Sequence, residues 1–589
     1  MIFPRITVIE DALMGQPADH ADFNLAVLRN VTVEGIEPYL RYEGMKDRLR
    51  LQLQWGSYDN ILQEASGLGS GVLNEQTQAV LVCLWLPAFS EILSFTFASV
   101  NSEYIEAELA RVRDYCSATL HALRERSVAP IYWFGFEPPA WPSYGILDAT
   151  SRNSQRAAIA ALNAFLAGEL EQAGNAWLVD TGLCFERVGA KDFYDWRYWH
   201  MAHAPYGRRA LAELAGEVQK HVRAGTGRVR KCLILDCDNT LWGGIVGEDG
   251  ADGIRIGTEH PGSAYREFQL EVLNLYHRGV ILVICSKNNE DDVLEVLRSR
   301  TADMVLREEH FAVICVNWQD KATNLRKIAA ELNIGLDSIV FADDSDFEIN
   351  LVRKSLPEVA TLQISTAKPY ENRLLLVQGG WFDTHALTDG DRVRGKMYRN
   401  EVARKNLAST ITDIGEYLKS LEMRLTVEAV TDAELDRVVQ LCQRTNQFNL
   451  TTKRYSRDEL ATHLPSSAST LLLFRLADRF GDYGIVGFCL AVNEGISARI
   501  DTFLISCRAL GRGVETIALA LCVEKVALKG AKVIIGNYLP TKKNSQVANF
   551  YQCHGFTQLE KVENAMQFEL HWKSGCITVP SHFSLGAAV

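Results

Sequence analysis

The stretch Leu233-Ile234-Leu235-Asp236-Cys237-Asp238-Asn239-Thr240-Leu241 (233–241) decides the fold of the centre of this chain. An apolar run that stops abruptly at a carboxylate reads as a buried strand, 232–236, ending at a sheet edge. Two carboxylates two residues apart, just past such a strand, can converge on one phosphoryl group. One then acts as nucleophile and the other as general acid and base. Ligands of open α/β sheets bind at the carboxyl ends of strands, so position and chemistry agree. A lone Asp-x-Asp is also a common solvated turn, and the flanking sequence must decide between the two.

Outward from this run the pattern is regular. Helical periodicity covers 263–277, 291–299 and 322–332, with a further helix towards Leu356, and apolar strands fall at 280–285, 312–316 and 338–342. Strands alternating with helices predict a doubly wound parallel sheet over 228–380. Ser286 follows one strand, Lys321 opens the helix after another, and Asp343 and Asp344 follow a third. A hydroxyl, an ammonium and a second carboxylate pair thus join Asp236 and Asp238 at one edge. Carboxylates and phosphate oxygens repel, so this set calls for a hard divalent cation with oxygen ligands, Mg²⁺. The gaps between the motifs hold only short turns and single helices. No large cap fits in them, which suits a substrate carried on a bulky partner.

The whole chain has 589 residues, enough for about three domains, with 47% hydrophobic and 23% charged residues. The first, 1–225, mixes apolar runs at 79–86, 131–136 and 176–179 with a helix over 156–172, an α/β pattern. Residues 223–228 read as a linker, 381–421 as a helical connector and 576–589 as a loose tail. The third domain, 422–575, has strands at 471–476, 485–492 and 498–505 and a helix at 514–528, an α+β pattern. Net charge is -12, from 61 basic and 73 acidic residues, which argues against nucleic-acid binding. The 13 cysteines show no Cys-x-x-Cys pair and fit reduced thiols in a cytoplasm. The apolar segment 80–100 contains Pro87 and Glu91 and reads as a buried strand and turn rather than a membrane span.

The order carboxylate pair, hydroxyl, lysine, carboxylate pair resembles the four motifs of the haloacid dehalogenase (HAD) superfamily. Longer blocks are similar to its FkbH-like family: 235–244, Cys285-Ser286-Lys287-Asn288, Trp318-Gln319-Asp320-Lys321, 341–345, 445–452, 480–484 and 506–515. Cys237 and Ser345-Asp346 depart from the commoner wording. The resemblance implies that Asp236 becomes an aspartyl phosphate and that Asp238 protonates the leaving oxygen and later activates water. It implies that Lys321 and Ser286, with Lys287 and Asn288 beside it, hold the phosphoryl. Mg²⁺ would rest on Asp236, the backbone carbonyl of Asp238 and one of Asp343 and Asp344. It further implies a glyceryltransferase/phosphatase of polyketide biosynthesis. Such a protein takes the glyceryl unit of 1,3-bisphosphoglycerate, removes phosphate and loads the unit as a thioester on an acyl carrier protein.

In the third region a strand leads through Arg508, Gly511 and Gly513 into a helix, a turn that offers backbone N–H groups to phosphate. It resembles the cofactor loop of GNAT acyltransferases, and its ligand here would be the carrier's phosphopantetheine arm. Cys507 precedes Arg508 and is the candidate for a covalent thioester, with His554 as a candidate base. Lys453, Arg454, Arg512, Lys542 and Lys543 offer a basic surface for an acidic carrier. The N-terminal domain resembles SGNH hydrolases without their Gly-Asp-Ser block. Asn30, Gly56, Asp59, Asp195, His200 and His203 stand as remnants, and the expected role is non-catalytic. A HAD phosphatase for a soluble phosphate ester, fused to an N-acyltransferase, is the alternative reading.

Overall fold

A computed structural model describes residues 6–585 except 18–19, 389–390, 392–393, 396, 401–415, 417, 420, 465, 467, 480, 542, 560–564 and 581; the Arg508 side chain is likewise outside it. Contacts divide the chain into two compact units, 1–226 and 227–589.

In the first unit β1 (Ala21–Arg29), β2 (Leu49–Trp55), β3 (Ala79–Cys83), β4 (Ile131–Phe134) and β5 (Ala176–Val179) form a parallel sheet, ordered β2-β1-β3-β4-β5. Helices cover both faces, so the central strands read as unbroken apolar runs, and every residue of β3 is buried. β3 stops before the expected 86 because Pro87 lies in the first turn of a short helix, Leu86–Phe89. β2 escapes sequence reading because Arg50, Gln52 and Gln54 alternate through it, as an edge strand allows. The boundary between the two units, 226/227, falls inside the expected linker. Its first three residues nevertheless belong to the helix Arg208–Gly225, where Arg223 is buried against Asp47 at 2.9 Å. No helix among the described residues is long and apolar enough to cross a membrane.

The second unit contains two sheets. β6 (Cys232–Leu235), β7 (Ile281–Ser286), β8 (Phe311–Val316), β9 (Ile339–Asp343) and β10 (Ala360–Gln363) are all parallel, ordered β10-β9-β6-β7-β8. Helices Gly262–His277 and Glu290–Ser299 pack on one face through Phe268, Val272 and Val293. Helices Lys321–Leu332 and Asp346–Ser355 cover the other through Leu325, Ile328 and Ile349. This is the expected doubly wound sheet. Between β6 and β7 only a short helix, Val246–Gly253, precedes the crossover helix, so no cap domain is inserted.

The third sheet is mixed: β11 (Met423–Ala429), β12 (Ser469–Asp478), β13 (Gly481–Glu494), β14 (Ser497–Ile505), β15 (Val533–Tyr538), β16 (Thr557–Gln558), β17 (Met566–His571) and β18 (Phe583–Leu585). The order is β16-β17-β15-β14-β13-β12-β11-β18. β14 and β15 are parallel, joined by the helix Val514–Leu528. They pair only from Ser497 to Ile500, against Val533 to Gly536. Beyond that point the segment Phe448–Leu450 fills the gap. The Leu450 N–H donates to Phe503 O at 3.1 Å, and the Leu539 N–H donates to Leu450 O at 2.8 Å. Buried Asn544 locks the insertion by donating to Asn449 O at 2.9 Å.

Two boundary expectations need comment. The tail is not loose throughout, because β18 pairs with Met423–Leu425. Three residues are too few to show periodicity in sequence. Much of the connector 381–421 lies outside the described residues. Within it Asp391 is buried and receives Arg444 at 2.7 Å, with Arg394 also paired to it.

Candidate active site

The carboxyl edge of the central sheet collects the predicted groups. β6 ends at Leu235, and the Asp236 N–H donates to Ala342 O of β9 at 3.0 Å, which fixes the backbone of Asp236 beside that strand. Lys321 is the first residue of its helix, capped by Asp320, whose side chain accepts the Thr323 N–H. Its ammonium lies 2.8 Å from Asp236 Oδ1 and also pairs with Asp343. One carboxylate oxygen from each of Asp236, Asp343 and Asp344 lies within 4.8 Å of the others.

The electrostatics of this cluster are unbalanced. Burial, then the Asp236 charge, pushes the Asp343 carboxyl up to about 7 in spite of Lys321. The same two causes push Asp344 up to about 6. Burial alone would lower Lys321, but the carboxylates of Asp236 and Asp343 outweigh it and hold the ammonium charged. Three carboxylates against one ammonium leave negative charge in a largely buried site. A hard divalent cation with oxygen ligands relieves that charge, so the donor set fits Mg²⁺.

Asp238 stands apart from this trio. Its Oδ1 accepts the Trp242 indole N–H at 2.9 Å and the Val246 N–H at 3.0 Å, and its Oδ2 accepts the Asn288 amide at 2.9 Å. Its side chain therefore does not join the metal-ligand grouping, consistent with a backbone role there. Burial raises its pKa, and the three donors oppose that rise. Ser286 is buried, and Asn288 donates to its Oγ at 3.2 Å. Lys287 is paired with Glu348 at 2.6 Å. Trp242, Glu348 and Asn239 are the partners that sequence patterning does not single out. Asn239 takes a positive φ of 54°, accepts the Gly244 N–H at 3.0 Å and bonds to Asp344. The signal was available for Trp242, a large aromatic set in a Gly-rich stretch four residues after Asp238.

Cys507 is not brought to this edge. Its carbonyl accepts the Asn333 side chain at 2.8 Å, and its thiol lies 3.1 Å from the Tyr398 hydroxyl. Asn333 caps the C-terminus of the helix that Lys321 opens. Twelve helical residues separate the two ends, roughly 18 Å at 1.5 Å per residue. Cys507 packs beneath the amino ends of the strands, while Asp236 lies beyond their carboxyl ends.

The loop after Cys507 forms the expected turn into a helix. Gly511 and Gly513 both take positive φ, 77° and 85°, which only glycine adopts freely. The half-buried Glu515 carboxylate receives the Gly511 N–H, so the chain's own anion occupies that donor. His554 has both ring nitrogens engaged, with Thr516 Oγ at 2.9 Å and Phe550 O at 2.7 Å, and reads as structural rather than as a base. The expected basic surface is largely neutralised. Lys453 pairs with Asp501 at 2.6 Å, Lys543 pairs with Asp337, and Arg512 is buried against Tyr483. Lys542 lies outside the described residues.

In the first unit the positions expected as remnants make local hydrogen bonds or end helices, except His200. The Asn30 side chain bonds both the N–H and the carbonyl of Trp85, at 2.7 and 3.1 Å. Gly56 O accepts from Arg29, the Asp59 N–H donates to Arg29 O, Asp195 caps a helix, and His203 ends it in the left-handed region. His200 is exposed on that helix.

No family model and no curated protein matches the chain. Among solved structures it is similar to the N-terminal part of BF1531 from Bacteroides fragilis, described as containing a phosphatase domain complexed with Mg. Identity is 25% and the TM-score 0.58, over 65% of this chain and 100% of that one. It also matches a spermidine N-acetyltransferase from Vibrio cholerae at 15% identity and TM-score 0.21, over 26% of this chain and 96% of that one. A ribosomal-protein-S18-alanine N-acetyltransferase from Escherichia coli matches at 14% and 0.20, over 25% and 93%.

Proposed function

We propose that the central domain is a Mg²⁺-dependent phosphatase that works through an aspartyl phosphate. The observation that carries this reading is the convergence of Asp236, Asp343 and Asp344 around Lys321, beside an independently held Asp238. The likeness to a Mg-bound phosphatase domain supports it. Asp236 attacks phosphorus. Asp238 delivers a proton to the leaving oxygen and then takes one from the water that hydrolyses the aspartyl phosphate. Ser286, Asn288 and Lys321 hold the phosphoryl oxygens. Asp236, Asp343 and Asp344, with the Asp238 carbonyl, would hold Mg²⁺, which would supply positive charge for the approach of carboxylate and phosphate.

The finer reading is a glyceryltransferase/phosphatase. The substrate is the glyceryl unit of 1,3-bisphosphoglycerate, and the acceptor is the phosphopantetheine thiol of an acyl carrier protein. The blocks at 445–452 and 506–515 and the uncapped edge support it. Cys507, with Arg508, Gly511 and Gly513 beside it, would serve the acyl step away from the phosphatase site. One observation favours the alternative, a phosphatase for a soluble phosphate ester joined to a separate N-acyltransferase: Cys507 and Asp236 lie at opposite edges of the central sheet.

The test is to incubate the protein with Mg²⁺, 1,3-bisphosphoglycerate and a holo carrier protein, and to weigh the carrier. A glyceryl adduct that requires Asp236 is expected. Phosphate release with no adduct would select the alternative.

A further inference from the structure

Two cysteines face each other across the last pair of strands on one side of the central sheet. Cys285 of β7 and Cys315 of β8 are register partners. Both pack into the core under the helix Lys321–Leu332, so their side chains leave the sheet on the same face. Both are free thiols, and they are hydrogen-bonded to each other. Neighbouring strands run about 4.8 Å apart, inside the roughly 4.4–6.8 Å between Cα atoms that a disulfide spans. β8 is an edge strand and Cys315 is half-buried, so a small reagent reaches its sulfur from solvent, whereas Cys285 behind it is buried. The hydrogen bond from Cys285, with the Asn317 amide 3.3 Å away, holds the Cys315 thiol below its ordinary pKa in spite of burial. A reachable, thiolate-prone sulfur with a second thiol beside it is the arrangement that peroxide converts to a disulfide. Cys489 and Cys522 are hydrogen-bonded too, but both lie sealed in the core of the third domain.

We propose that Cys285 and Cys315 form a redox modification site whose oxidant is hydrogen peroxide, and that the bond between them displaces Ser286. The effect on activity rests on the phosphatase reading above. The Cys315 sulfur attacks one peroxide oxygen and the O–O bond breaks. The other oxygen leaves as water with the thiol proton, and Cys315 becomes a sulfenic acid. The Cys285 sulfur then attacks the Cys315 sulfur. The S–O bond breaks, and that oxygen leaves as a second water with the Cys285 proton. Two thiols thereby give two electrons to one peroxide. Ser286 is the next residue after Cys285; its carbonyl accepts the Asn317 N–H at 3.1 Å, and its Oγ accepts Asn288 at 3.2 Å. A disulfide draws its Cβ atoms to about 3.8 Å, closer than the strands stand, so the end of β7 shifts towards β8 and carries Ser286 with it. A phosphate-holding group moved by about 1 Å costs about 100-fold in rate.

The experiment takes the full chain, reduced and freed of reductant, and treats it with hydrogen peroxide in the presence of Mg²⁺. Remaining thiols are alkylated under denaturing conditions and the peptides mapped by mass spectrometry. Phosphate release is followed in parallel on p-nitrophenyl phosphate. A peptide pair linked through Cys285 and Cys315 is expected, with a loss of about 100-fold in kcat that dithiothreitol reverses. Cys315→Ser and Cys315→Ala should match the reduced parent, which certifies their fold, and should keep that activity through peroxide treatment. Absence of the linked peptide would overturn the proposal. So would a peroxide loss as large in these variants as in the parent, or a linked peptide with undiminished phosphate release. A reduced parent inactive on every phosphate monoester and acyl phosphate would overturn the phosphatase reading instead, and the linked peptide would still decide for or against the thiol site.

Discussion

The Lys321 ammonium lies 2.8 Å from Asp236 Oδ1, inside a site where it is 3% exposed, and it is shared with Asp343. A single cation thus compensates carboxylates from two adjacent strands. Removing it leaves a like-charged pair in low dielectric. Lys321→Ala is expected to slow phosphate release by about 10²–10³-fold. It should also cost about 3–5 kcal/mol in metal-free protein, the penalty of orphaning a buried charge. Mg²⁺ should then raise the melting temperature more in the variant than in the parent. Equal shifts in thermal melts would show that Lys321 and the metal do not answer the same charge.

Cys507 lies at the far end of the helix that Lys321 opens, so changes there should not reach the phosphoryl site. Cys507→Ala is expected to keep phosphatase turnover within about twofold, as independent sites do. Loss of the contact to Tyr398 should cost about 1 kcal/mol. A tenfold fall in phosphate release from the variant would mean that the two regions act as one site.

Burial pushes the Glu137 carboxyl up to about 7, although the Tyr206 hydroxyl donates to it at 3.0 Å. A carboxyl raised on folding is protonated in both states below about 4.5 and carries a penalty once ionised in the native state. Stability of the first unit should fall as pH rises from about 4.5 to about 7 and then level off, by about 3 kcal/mol in all. Glu137→Gln should remove that slope. Urea titrations at pH 5 and pH 8 would decide it, and an unchanged pH dependence in the variant would refute the assignment.

Asp391 shows the opposite sign. Burial would raise its carboxyl, but Arg394 and Arg444 hold it well below the usual carboxylate range. Its contribution is complete above the unfolded value near 4 and is lost only in stronger acid. Asp391→Asn should cost about 3–5 kcal/mol at pH 7, because it strands buried guanidinium groups. The cost should shrink below about pH 3. A variant as stable as its parent at pH 7 in chemical denaturation would show that these charges are solvated.

The central sheet was legible because each strand is a buried apolar run that stops at a chemical group, as at Asp236, Ser286 and Asp343. Residue type and position there report the same fact. What stayed hidden depends on contacts distant in sequence. Arg223 looks like linker composition until Asp47, 176 positions earlier, is placed beside it. Lys453 and Lys543 look like free surface charge until Asp501 and Asp337 fold against them. Cys507 follows a strand just as the phosphoryl-site groups do, but its strand belongs to another sheet. Local pattern gives an edge, and only the fold says which edge faces which.

The insertion of Phe448–Leu450 between β14 and β15 has a kinetic corollary. The sheet is continuous there only when a segment some fifty residues upstream of Phe503 has docked and Leu539 has arrived from downstream. Such closure joins three stretches of chain far apart in sequence, so its ordering entropy is met before its hydrogen bonds reward it. The last turn of β14 and the end of β15 should therefore be among the latest parts of this domain to gain amide-exchange protection during refolding, well after the local β12–β13 hairpin has formed.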